Sequence, residues 1–136
     1  EQHQALCQGA KRAAELLEGT DITLLLEPLN TAVDHKGYYL SSSEEAFEII
    51  DEVGSERVKV LFDIYHQQIT EGSLIRNIRE NISKIGHFHA AGCPGRHELD
   101  TGELNYPNIF HAIQEAGFTG YIGLEYFPEK PALEGL

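Results

Sequence analysis

The segment Ile85–Tyr106, IGHFHAAGCPGRHELDTGELNY, decides how the rest of the chain is read. Its first five residues, Ile85 to His89, have the pattern of a strand. A loop punctuated by Gly and Pro follows, carrying Arg96, His97, Glu98, Asp100 and Glu103. It closes at Tyr106–Pro107, where proline suits the first turn of a helix. Strand, polar loop and helix make one βα unit, with its polar groups on the loop, where function usually sits.

Working outward, the same unit recurs. Apolar residues from His3 to Glu18 fall at helical spacing, and Gly19-Thr20-Asp21 ends that helix. Ile22–Leu26 is a continuous apolar run, as expected for a strand covered on both faces. Ser42 with Glu45 three residues on predicts a capping box for a helix stopped by Gly54. Val58–Phe62 reads as the second strand, Ser73–Ile82 as a helix and Ile85–His89 as the third strand. Pro107–Ala116 reads as a helix ended by Gly117, and Tyr121–Leu124 as the fourth strand. This alternation implies an α/β fold with a parallel sheet and right-handed crossovers. Four units of about 30 residues fit an open doubly wound sheet or half of an eight-stranded barrel. No GxGxxG or GxxxxGK[ST] pattern supports a nucleotide-binding sheet.

Composition narrows the function. With 136 residues, 41% hydrophobic and 24% charged, the chain has the make-up of a soluble globular domain. The net charge of −12 and the scattered ten Lys and Arg argue against a nucleic-acid partner. No apolar run approaches the roughly 20 residues of a membrane span, and no signal peptide opens the sequence. Cys7 and Cys93 lack CxxC spacing, so free thiols in a reducing, cytoplasmic setting are expected. The absence of Met and the start at Glu1 suggest a processed N-terminus or a segment of a longer chain.

The carboxyl ends of the four predicted strands carry Glu27, Asp63, His89 and Glu125. Asp, Glu and His make up 29 of the 136 residues, so four such ends would coincide by chance in roughly 0.2% of cases. Singly, each could cap a helix or solvate a loop. As a set on parallel strands they converge on one face. Three carboxylates and an imidazole suit a hard or borderline divalent cation, Mn²⁺, Mg²⁺ or Co²⁺, with Zn²⁺ a further candidate. His87 reads as an interior, hydrogen-bonded histidine. His66 and Arg96, both read as loop residues, are candidates to grip substrate, although Arg96 could instead pair with Glu98 or Glu103. Asn30 is a weak substrate candidate, and His3, His35 and His111 read as surface residues.

The motifs LLLEPLN at 24–30, LFDIYHQQ at 61–68, GHFHAAGCPGRHELDTGELNYP at 86–107 and GYIGLEYFP at 120–128 resemble the xylose-isomerase-like TIM barrels. The nearest likeness is to the hydroxypyruvate isomerase family, with the ketose 3-epimerases close by. This resemblance spans residues 22–128. It implies that Glu27, Asp63, His89 and Glu125 hold a divalent metal and that Glu27 and Glu125 are the catalytic acid–base pair. It also implies that His66 and Arg96 contact the substrate. Hydroxypyruvate isomerases often carry Gln where this chain has His89, whereas epimerases carry His. The family's chains are about twice this length, and the units present look like strands five to eight.

The expectation is therefore a (β/α)₈ TIM barrel of which residues 1–136 form the C-terminal half. The expected activity is isomerisation of a small hydroxy-carbonyl substrate by proton transfer through an enediolate. A ketose 3-epimerase is the first alternative, and a non-catalytic, metal-binding half-barrel that assembles with a partner is the second. Either a homo-oligomer or a missing N-terminal half would complete the fold.

Overall fold

In the computed structural model, which describes residues 1–131 and 134, helices and strands alternate along the chain. The elements are α1 (Gln2–Leu16), β1 (Leu24–Leu26), α2 (Ser43–Val53), β2 (Val58–Asp63), α3 (Ile64–Thr70), α4 (Leu74–Asn81), β3 (Ile85–Ala90), α5 (Tyr106–Glu115) and β4 (Ile122–Leu124). A short 3₁₀ turn, Ile82–Lys84, joins α4 to β3. The strands are all parallel and lie in the order β1-β2-β3-β4. Strand order that follows the sequence leaves no switch point, which favours barrel units over a doubly wound sheet.

Strand alternation sorts side chains onto two faces. Val58, Val60 and Phe62 of β2 are fully buried against the helices. Phe62 stacks on Phe47 of α2 and meets Phe88 of β3 edge-on, and Phe88 meets Phe118 in the same way. Burying each such ring contributes about 1.5–3 kcal/mol. The opposite face carries Leu25, Lys59, Leu61, His87 and Gly123, paired across the sheet as Leu25 with Lys59 and Leu61 with His87. A Cβ on Gly86 would meet Leu25 Cδ2 at 2.7 Å and Lys59 Cβ at 2.9 Å, so glycine lets this inner layer close.

Several element limits differ from the sequence reading. β1 begins at Leu24, because the Ile22 amide turns back to Thr20 Oγ1 and leaves Ile22 60% exposed. Its three residues are only half-buried, since α1 covers one face and the other faces the open side of the sheet. Tyr121 stays outside β4, 83% exposed. β3 continues one residue further, to Ala90, and Ser73 sits before α4 in the left-handed region at φ 49°. The Ser42 hydroxyl accepts the Glu45 amide as predicted, but the Glu45 carboxylate turns away to Tyr39 and His3, so the box is half formed. A whole element, α3, has no counterpart in the sequence reading. Only the structure shows the Asp63 carboxylate accepting the Tyr65 and His66 amides and starting a helix there.

Both cysteines are free and buried. Cys7 lies on α1 beside His3, which is far from a free surface histidine. Its ring nitrogens reach Glu45 at 3.2 Å and Glu52 at 3.0 Å and tie α1 to α2. These hydrogen bonds raise its pKa above 6.5. A raised histidine pKa stabilises the fold fully below about 6.5, and that contribution is lost as pH rises through the folded value. His3→Gln should therefore lower the melting temperature at pH 5.5 and change it less at pH 9. Equal shifts at both pH values, read by thermal denaturation, would remove this ionic tie.

The sheet has two open edges and an inner face bearing Leu25 and Leu61. Val60 and Phe62, which alternate with Lys59 and Leu61 along β2, point to the helices. Unpaired edges of this kind recruit further strands. The isolated chain should self-associate, and a monodisperse monomer in light scattering would show that it closes its edges by other means.

Candidate metal centre and cleft

Glu27 lies one residue past β1, Asp63 ends β2, His89 is the penultimate residue of β3, and Glu125 lies one past β4. Each follows an inner-face residue by two positions: Leu25, Leu61, His87 and Gly123. The period of two therefore turns all four to the same side. One nitrogen or oxygen atom from each of the four lies within 4.8 Å of the other three.

His89 Nδ1 is buried without a hydrogen-bond partner, yet it faces the carboxylates. It lies 3.0 Å from Glu125, 3.8 Å from Glu27 and 4.0 Å from Asp63. A buried polar atom left unpartnered is costly. Among the described residues, the one fixed cation beside the three carboxylates is Arg96. Its Nη2 donates to Asp63 Oδ2 at 2.9 Å and to Glu125 Oε2 at 2.5 Å. Two negative charges remain uncompensated, which a divalent cation would balance, and the oxygen-rich donor set with one imidazole fits such an ion. Burial raises the Glu27 pKa, and the neighbouring Asp63 and Glu125 charges add to the rise.

Arg96 pairs with neither Glu98 nor Glu103. It adopts a left-handed backbone, φ 59°, after Gly95, and its guanidinium lies 4.9 Å over the Tyr65 ring. Its Nε donates to the Glu125 carbonyl at 3.1 Å, and its Nη1 lies 2.9 Å from His66 Nε2. The loop that holds it is pinned in several places. The Tyr106 hydroxyl bonds both the amide and the carbonyl of Ala91. A Cβ on Gly102 would lie 2.2 Å from the Cys93 carbonyl oxygen, so only glycine admits that crossing. Glu98, fully buried, accepts the Glu129 and Lys130 amides and clamps the segment after β4.

His66 sits on α3, not in a loop, and is 1% exposed. Burial lowers its pKa. Asn30, also buried, bonds His66 and Asp34 and stands behind the cleft, so it does not line it as a substrate contact would. His35, read as a surface residue, lies at the rim with its ring edge-on to His66 at 5.3 Å. His87 packs edge-on against His89 at 5.2 Å. His111 is exposed and pairs with Glu115. Two contributors have no signal in the sequence. Gln67 donates to the Pro28 carbonyl at 2.8 Å and holds the turn after Glu27, and Asp34 accepts from Tyr65 at 2.9 Å. The resulting cleft, about 510 Å³, is lined by Glu27, Asp34, His35, His66, Arg96 and Glu125, with Leu29, Tyr126 and Phe127 as its apolar wall.

A parallel, sequentially ordered βα sheet with a cation-type cluster at the strand ends defines a TIM-barrel class of protein. The chain belongs to the xylose isomerase-like TIM barrel family, whose model matches residues 1–136. It is 43% identical over 124 residues to 2-oxo-tetronate isomerase of Cupriavidus necator, covering 91% of this chain and 47% of that protein. It is 38% identical over 134 residues to hydroxypyruvate isomerase of Escherichia coli, covering 98% and 52%. Among solved structures, AP endonuclease, family 2, from Brucella melitensis superposes with a TM-score of 0.93 at 36% identity, over 98% of this chain and 51% of that one. The 3-keto-D-glucoside 4-epimerase of E. coli superposes at 0.84 with 25% identity, over 97% and 49%. The chain thus spans about half the length of the relatives it matches. Among the described residues, no helix is long and apolar enough to cross a membrane.

Proposed function

We propose that the chain is the C-terminal, metal-binding half of a divalent-cation-dependent isomerase acting on a small hydroxy-carbonyl acid such as hydroxypyruvate or a 2-oxo-tetronate. The observation that carries this reading is the orphaned His89 Nδ1 turned toward three carboxylates. Glu27, Asp63, His89 and Glu125 would hold the cation, which when bound would polarise the substrate's carbonyl and hydroxyl oxygens. Glu27 and Glu125 would move the proton. One would take it from the hydroxyl-bearing carbon beside the carbonyl to leave an enediolate, and the other would return it to the former carbonyl carbon, while the hydroxyl proton passes to the former carbonyl oxygen. His66 and Arg96 would grip substrate oxygens, and the low dielectric around the buried Asp63 and His66 would strengthen those contacts. A cytoplasmic location would agree with two unpaired thiols.

A 3-epimerase is the second reading, favoured by the histidine at position 89 and by the fold shared with a 4-epimerase. It would use the same residues and return the proton to the same carbon. Incubating the complete protein and a divalent metal with hydroxypyruvate, a 2-oxo-tetronate and a ketose panel separates the two. A product of new connectivity is expected, and a product differing only in stereochemistry would replace the isomerase reading. No turnover on any of them, with metal bound, would leave the non-catalytic half-barrel.

A further inference from the structure

Behind the cleft, Asn30 makes a set of contacts that leaves its amide only one orientation. Its Oδ1 accepts two backbone amides, Val33 at 3.0 Å and Asp34 at 3.2 Å. Its Nδ2 donates to the Asp34 carboxylate at 2.7 Å. Flipping the amide would set its oxygen against that carboxylate and its NH₂ against two N–H donors. With the orientation settled, the second Nδ2 hydrogen points at His66 Nδ1, 2.6 Å away, and the Asn30 backbone amide also points there at 3.3 Å. Two donors on one ring nitrogen require that nitrogen to accept.

We propose that Asn30 is a positioning residue that holds His66 as a neutral imidazole with its proton on Nε2, directed into the cleft. The consequence lies on the other side of the ring. His66 Nε2 is 2.9 Å from Arg96 Nη1, which can only donate, and 3.7 Å from Asp63 Oδ2. Two donors facing each other make no hydrogen bond, and both are satisfied when an acceptor oxygen sits against the pair. In the proposed isomerase, on whose reading this step rests, that oxygen belongs to the substrate's hydroxyl, carbonyl or carboxylate. His66 then donates a hydrogen bond and takes no proton, which leaves proton transfer to Glu27 and Glu125. A buried Asn thus sets the polarity of a histidine that touches substrate, without touching substrate itself.

The test is the tautomer, read by long-range ¹H–¹⁵N correlation on the complete, ¹⁵N-histidine-labelled protein at neutral pH with Mg²⁺ present. His66 should show an unprotonated Nδ1 and a protonated Nε2. A proton on Nδ1, alone or as an imidazolium, overturns the proposal. In Asn30→Asp the carboxylate accepts where the amide donated, and the proton should move to Nδ1. Should that variant not fold, Asn30→Ala removes the donor and should give a mixture containing the Nδ1–H form. An unchanged tautomer in a folded variant would show that Asn30 does not set it. The wild-type spectrum decides the matter even if no variant folds. It is independent of turnover, so loss of the isomerase reading and loss of this one are separately visible.

Discussion

Glu27→Gln and Glu125→Gln, each in the complete enzyme at saturating metal, should lose several orders of magnitude in turnover. The two side chains stand at the outer strands of the sheet, each two residues beyond an inner-face position, with His89 Nδ1 between them at 3.8 and 3.0 Å. Substrate bound over the cluster would lie within reach of both. General acid–base catalysis contributes about 10²–10⁴-fold, and weakened polarisation of the carbonyl adds to that loss. An amide oxygen still coordinates a cation weakly but cannot carry a proton. Excess metal should therefore restore occupancy without restoring rate. The measurement is isomerisation together with solvent-deuterium exchange at the substrate C–H bond. Near-wild-type exchange in either metal-saturated variant would reduce that glutamate to a ligand and end the two-carboxylate mechanism.

The second large effect is expected at Asp63. Its carboxylate starts α3 through the Tyr65 and His66 amides, pairs with Arg96, and faces His89 at 4.0 Å, while being 1% exposed. Asp63→Ala removes one of three negative charges and leaves the Arg96 guanidinium pressed against the site. Loss of outer-shell partners typically costs about 10–100-fold in metal affinity, and loss of a direct ligand should exceed that. Calorimetric titration with Mn²⁺ and elemental analysis would measure it. Asp63→Asn keeps an acceptor for the helix amides and loses the charge, so it separates the two roles. It should fold like the wild type and still bind metal poorly. Unchanged affinity and stoichiometry in both variants would sink the four-residue centre.

The geometry also changes how the strand-end cluster is understood. Three carboxylates gathered around one imidazole are held partly by a cation the chain itself supplies, Arg96, which comes from a loop 33 residues beyond Asp63. That loop is held by glycine crossings and by the Tyr106 hydroxyl. In the proposed metal centre, metal affinity and loop order would be coupled, because an ion entering the cluster would compete with Arg96 for Asp63 and Glu125.

Periodicity alone was enough to read the alternation of helices and strands. Apolar runs such as VKVLF and the 3.6-residue stripe of α2 report burial directly, and burial is what fixes those elements. The four strand-end residues were legible for the same reason: a strand's period of two and the parallel direction carry Glu27, Asp63, His89 and Glu125 to one side with no tertiary information. What the sequence could not show depends on contacts between residues far apart in the chain. Asp63 has no local pattern that marks it as a helix cap, so the sequence predicts neither α3 nor a helical His66. Arg96 had two acidic neighbours, Glu98 and Glu103, and the sequence left pairing with them open beside a grip on substrate. The fold instead gives Glu98 to the Glu129 and Lys130 amides and turns Arg96, through a left-handed backbone, into the cleft. Asn30 and His66, 36 residues apart, meet only because β1 and β2 lie side by side. Composition and spacing determine most of the elements and the faces that their strands and helices present. The partner of each polar group is decided only when packing excludes water and each buried donor must find an acceptor.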